Sequence, residues 1–153
     1  VFAGIVVVLC SAISTHTAGA QDDLHWAPAV RTPTHRILVD TRSIRKLDAA
    51  VVEALTQERY ERVQEDSATL SLEEARQLNW ATVWRKYYFT RRSLLMRFDC
   101  RGHRIAFVET SFLGPDGSVV HAYSSKNADY LPAVPNSVGA SVLEVVCLLA
   151  GVG

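Results

Sequence analysis

The chain has 153 residues, and its 16 Lys and Arg balance its 16 Asp and Glu. That length fits one domain with a short leader rather than two domains, and a composition that is 48% hydrophobic and 21% charged is that of an ordinary folded protein. Zero net charge removes any global electrostatic argument for nucleic acid or an anionic membrane as partner, and the histidines lack the i, i+4 spacing of a helical metal site.

Val1 to Ala20 contains no Lys, Arg, Asp or Glu. Phe2–Leu9 is a compact apolar run, shorter than the ~20 residues a membrane-spanning helix needs. Ala18-Gly19-Ala20 then supplies the small residues a signal peptidase reads, and polar Gln21-Asp22-Asp23 follows. The pattern predicts a secretory signal peptide over 1–20, leaving a single domain over 21–153 without a membrane span. Cys10 lies inside that leader, behind Leu9, where a lipid-attachment signal would want a small residue. Cys100 and Cys147 remain, and two cysteines in an oxidising compartment most simply form one bridge.

Gln21–Thr34 is polar and holds Pro28 and Pro33, so an extended leading segment is expected around Trp26. From Arg36 to Thr41 the residues Ile37, Val39 and Thr41 alternate with Arg36, Leu38 and Asp40, a first strand. A turn follows over Thr41–Arg45. Ala49–Thr56 is rich in β-branched residues and is the second strand, paired with the first as a hairpin.

Between Thr34 and Arg101 there is neither Gly nor Pro, which favours helix within the run. Ser71-Leu72-Glu73-Glu74 is a capping box and predicts a helix from Leu72 to about Trp80. Beyond it, Trp80, Trp84, Tyr87 and Tyr88 fall at helical spacing, while Val83, Arg85, Tyr87 and Phe89 fall at strand spacing. The reading taken is helix, then strand, within a charged, partly helical insertion at about 57–92.

Leu94, Met96, Phe98 and Cys100 alternate with Leu95, Arg97, Asp99 and Arg101, a strand with one buried face. Arg101-Gly102-His103 turns the chain back into a strand over Arg104–Phe112. Gly114-Pro115-Asp116-Gly117 turns it again, into Ser118–Ser124. Three such strands form an antiparallel meander. A loop over Lys126–Pro135 leads to Asn136 or Ser137, either of which can cap a last helix. Val138, Val142, Val145, Val146 and Leu149 would bury one face of that helix on the sheet. Strands followed by one helix make an α+β domain, with Cys100 and Cys147 clamping the helix to the sheet.

Between Arg85 and Arg104 there are seven Lys or Arg and one acid, Asp99, with aromatic residues interleaved. Arg85, Lys86, Arg91, Arg92 and Arg97 are therefore a candidate binding surface for an acidic protein or glycan; export argues against nucleic acid. The plainer alternative is a solvated strand face neutralised by the acids between Asp48 and Glu74. Cys100, His103 and Asp99 could be imagined as a thiol centre among arginines, but Cys100 is in phase with the apolar face. There is no G-x-S-x-G nucleophile motif, and Asp116 alone falls far short of the six or more oxygens that calcium takes. No catalytic residue, metal ligand or cofactor is expected.

Four stretches together resemble the surface-adhesin protein E family of exported bacterial proteins. They are Ile37-Leu38-Val39-Asp40-Thr41-Arg42-Ser43-Ile44-Arg45, Met96-Arg97-Phe98-Asp99-Cys100, Gly114-Pro115-Asp116-Gly117-Ser118-Val119-Val120 and Val134-Pro135-Asn136-Ser137-Val138, closing at Cys147. The resemblance implies an antiparallel sheet of about five to six strands, with a C-terminal helix packed on one face and tied to it by a Cys100–Cys147 disulfide. It also implies a periplasmic or outer-surface binding protein of a bacterium, non-catalytic, whose partner is an envelope or host matrix protein. The alternative is a structural envelope component that forms a homodimer or joins a periplasmic assembly. Two departures from the family pattern stand out: a longer, more charged stretch from Gln57 to Arg92, and Tyr130 where a Trp is usual.

Overall fold

The computed structural model describes residues 24–69, 84–125 and 127–152. The expected signal peptide over 1–20 and the expected helix from Leu72 to about Trp80 lie outside these residues.

Among the described residues, the chain builds one antiparallel sheet from β1 (Trp26–Arg31), β2 (His35–Asp40), β3 (Arg45–Lys46), β4 (Val51–Thr69), β5 (Trp84–Asp99), β6 (Arg104–Leu113), β7 (Val119–Ser124) and β8 (Leu131–Pro132), followed by one helix, α1 (Val138–Leu149). The spatial order is β1-β2-β4-β5-β6-β7, with β3 lying beside β4 and β8 beside β6. The eight strands exceed the five to six expected. Part of the difference is β1, where the prolines read as loop punctuation. It is an edge strand, and proline is tolerated at sheet edges and at bulges; the register shifts between Pro28 and Val30. The rest comes from β3 and β8, each two residues long, which continue the pairing begun by β2 and β7.

The described part of the 57–92 insertion is strand. β4 runs 19 residues, well past Thr56, and β5 runs 16 residues from Trp84, so the aromatic stretch follows the strand spacing. Opposite charges across the pair help hold so polar a hairpin in a sheet. Glu53 faces Arg97 and Glu58 faces Arg92 in register, and Lys86 reaches Glu65 diagonally at 2.6 Å.

The core lies between the sheet and α1. Val39, Val52, Phe98 and Val146 are fully buried, with Ile37, Ala54, Leu94, Met96, Ile105 and Val142 around them. Ser137 is the N-cap, its hydroxyl oxygen accepting from the Ala140 amide at 3.2 Å, and Asn136 takes the left-handed turn before it. The helix is rotated from the expected stripe. Leu143 and Cys147 join Val142 and Val146 inside, while Val138 and Leu149 stay 42% and 43% exposed. Cys147 is bonded to Cys100 at the end of β5, with Cα atoms 5.8 Å apart. Gly102 is required beside this strand end. Its amide donates to Asp99 Oδ1 at 2.8 Å, and a Cβ there would collide with the same carboxylate.

A second cluster of Tyr87, Phe89 and Phe112 packs with Tyr60, Ala68 and Val120. It forms where the β4–β5 register breaks between Arg59 and Gln64.

Candidate functional site

Side chains alternate along a strand. Placing Val52, Ala54, Met96 and Phe98 beneath α1 therefore sends Glu53, Leu55, Leu95 and Arg97 to the other face of the sheet. Among the described residues no helix covers that face. It holds a concavity of about 410 Å³, floored by Leu55 and Leu95, walled by Ser43, Ser93 and Ser111, and rimmed by Arg42, Arg45, Glu53 and Glu109. Glu53 is the buried charge of this groove, its side chain 5% exposed. Arg97 Nε donates to its Oε2 at 3.1 Å, and Arg45 pairs with Oε1. Burial pushes the carboxyl up, but the hydrogen bonds from Arg45 and Arg97 and their charges outweigh it and hold Glu53 below the usual carboxylate range. Asp99 is likewise held low, first by its hydrogen bond from Arg104 and then by the Gly102 amide.

A carboxylate depressed in the folded state contributes stability above its unfolded pKa and loses it as pH falls through its folded pKa. The urea midpoint should therefore drop as pH is lowered below the ordinary carboxylate range. Glu53→Gln should flatten that drop; an unchanged slope in the variant would remove Glu53 from the explanation.

The structure distributes the basic residues singled out from the sequence over three places. Arg97 borders the groove. Arg91 lies on the same face, opposite Arg59. Arg92 faces the helix side, where its Nε and Nη2 donate to Glu58 at 2.9 and 2.7 Å and the Tyr60 hydroxyl donates to the same carboxylate. Burial opposes the Arg92 charge, but the Glu58 pairing prevails and raises its pKa; burial and the same carboxylate raise Tyr60. Lys86 is paired with Glu65 on the exposed part of the hairpin, and Arg85 is exposed opposite Ala68. Nearby, burial and Asp66 push the Tyr87 phenol up to about 12, and its ring stacks on His121 at 4.8 Å.

Sequence reasoning missed three further arginines. Arg31 stands opposite Arg36, Arg36 opposite Arg59 and Arg59 opposite Arg91, one row across β1, β2, β4 and β5. No local motif signals this row; strand pairing alone creates it. The imagined thiol centre is closed, since the Cys100 sulfur is bonded to Cys147. Among the described residues no group of His, Cys, Asp and Glu gathers as a metal site, and no helix is long and apolar enough to cross a membrane.

No curated protein matches the chain. Solved structures share its fold, among them two of Haemophilus influenzae protein E. Crystal form II of Haemophilus influenzae protein E superposes with a TM-score of 0.53 at 12% identity, covering 84% of this chain and 91% of that one. A second structure of Haemophilus influenzae protein E gives 0.52 at 12% identity, covering 85% and 87%. The surface-adhesin protein E family model matches residues 26–148, from the first residue of β1 into the last turn of α1. A match over that span shows that the chain belongs to the surface-adhesin protein E family.

Proposed function

We propose that this chain is an exported bacterial binding protein of the periplasm or outer cell surface, acting through protein–protein contacts and without catalysis, with an envelope or host matrix protein as partner. The observation that carries this reading is the groove on the sheet face away from α1. An apolar floor of Leu55 and Leu95 inside a ring of serines and charged side chains has the apolar-centre, polar-rim layout of a protein interface. Membership of a surface-adhesin family supports it. Arg97 and Arg91 on this face are proposed contacts, and Arg85 and Lys86 extend the basic surface along the hairpin; Arg92 serves to hold Glu58.

The test is solid-phase binding of the purified domain to immobilised matrix proteins and to envelope extract. Leu95→Asp, which puts a charge on the groove floor, should weaken binding by roughly tenfold or more, as loss of a central anchor does. Equal binding by the folded variant, or turnover of a substrate without any binding, would overturn the reading.

A second reading, an envelope component that dimerises, draws on β7. This edge strand pairs only with β6 among the described residues, and its Val119 and Tyr123 are 61% and 55% exposed. Light scattering on the purified domain separates the two, since a monomer across the accessible concentration range excludes the dimer.

A further inference from the structure

Between the first turn of α1 and the sheet lies a pocket of about 150 Å³. It opens on the helix side, across the sheet from the Leu55–Leu95 groove. Ile37, Leu94, Met96 and Val142, all buried, line its inner end, and the exposed Phe107 and Val138 flank its mouth. Protein cores are close-packed and hold few voids larger than a water molecule. Here Gly139 keeps the gap open. A Cβ built on it would stand 3.3 Å from Ile105 Cδ1, so the helix backbone already rests on that side chain and has no room to sink toward the sheet.

The polar groups of the pocket are Thr56, Glu58 and Arg92. The Thr56 hydroxyl is turned to Leu94 O and Met96 Sδ, both at 3.4 Å, which leaves the inner end apolar. Glu58 is saturated: it accepts from Arg92 Nε and Nη2 at 2.9 and 2.7 Å and from the Tyr60 hydroxyl. Arg92 is not. Among the described residues its Nη1 makes no hydrogen bond.

At about 30 Å³ for each water-sized group, the pocket holds about five methylenes. It is well below the roughly 300 Å³ of a pocket that takes a whole small molecule, so it seats one chain. The charges of Glu58 and Arg92 cancel. A carboxylate entering here would meet Glu58 and an ammonium would meet Arg92, and either would give up its hydration. An uncharged acceptor avoids both costs and takes a charge-assisted hydrogen bond from the guanidinium. We propose that the pocket binds a single aliphatic chain that ends in an uncharged carbonyl group, an amide or an ester. The chain lies between α1 and the sheet, and the carbonyl oxygen accepts from Arg92 Nη1.

Isothermal titration of the full chain with hexanamide should give a Kd of about 1 mM or below. Affinity should rise about fourfold per methylene from propanamide to hexanamide, and less steeply beyond, once the chain has left the inner end. Hexanoate and hexylammonium should bind at least ~5-fold more weakly. Methyl hexanoate set against hexanamide separates the two sources of the carbonyl, the tighter one naming ester or amide. Val138→Trp fills the mouth and should lower hexanamide affinity at least ~10-fold. Leu148→Trp, at the exposed far end of the same helix, should leave it unchanged. Glu58→Gln with Arg92→Gln removes both charges together, so neither is left buried alone; it should weaken hexanamide about 10-fold and keep the gain per methylene. Melting temperatures of the variants separate lost binding from lost folding. Leu95→Asp should not change hexanamide affinity, so failure of the protein-binding reading and failure of this one are distinguishable. Four results would overturn the proposal: no hexanamide binding by the wild type, hexanoate binding as tight as hexanamide, unchanged affinity in folded Val138→Trp or in the folded double glutamine variant, or tighter binding of N-acetyl-leucinamide, which would make the pocket a seat for a partner protein's side chain.

Discussion

Replacing Cys100 and Cys147 together by serine should lower the unfolding free energy by about 4 kcal/mol and the melting temperature by about 10–20 °C. The bridge joins residues 47 apart in sequence, and closing a loop of that length in the unfolded chain accounts for an effect of this size. The structure adds a reason for the loss to begin locally. At 12 residues α1 is too short to be stable alone in water, and it holds to the sheet through Val142, Leu143, Val146 and the bridge itself. Urea and thermal unfolding followed by circular dichroism measure the total. Reductant should reproduce the drop in the wild type and do nothing to the double variant. A loss below about 1 kcal/mol would mean that packing alone docks the helix.

Phe98→Ala should cost about 3–5 kcal/mol. Phe98 is the largest of the fully buried side chains. It stands between Val52 on β4 and Ile105 on β6 in direct register, and it shares a cluster with Val142 and Val146 of the helix. Truncation opens a cavity where sheet and helix meet, and the bonded Cys100, two residues on, limits how far the strand end can collapse into it. Phe98→Leu should cost distinctly less. Because Phe98 and the bridge support the same helix, the combined loss of the alanine and double-serine variants should depart from the sum. Urea midpoints at a common m-value measure all of these; an alanine variant within about 1 kcal/mol of the wild type would place the core elsewhere.

The meander from Leu94 to Ser124 was legible because alternation, a glycine turn and Gly-Pro-Asp-Gly agree there. The start of α1 was legible from Ser137. Its buried face was read slightly off, because an apolar helix offers several valine and leucine stripes and the bridge at Cys147 decides among them. β1 was hidden by Pro28, which an edge strand tolerates and an interior strand does not. The extent of β4 was hidden by its charges; Glu58 and Arg92 make sense in a strand only once they are seen to face each other. The groove and the arginine row are products of register. Glu53 meets Arg97 from 44 residues away, and no window along the chain contains both row and groove.

The two borders of the sheet differ in kind. β1 carries a proline and a register slip and leans against α1, so it gives no continuous template to a neighbouring backbone. β7 has no proline, though its pairing with β6 also slips, between Phe112 and Leu113. Were copies of this chain to pair backbone to backbone, β7 to β7, they would form a two-fold pair with each β1 turned outward. The same proline that conceals a strand from a sequence reader thereby blunts that outward border against backbone pairing.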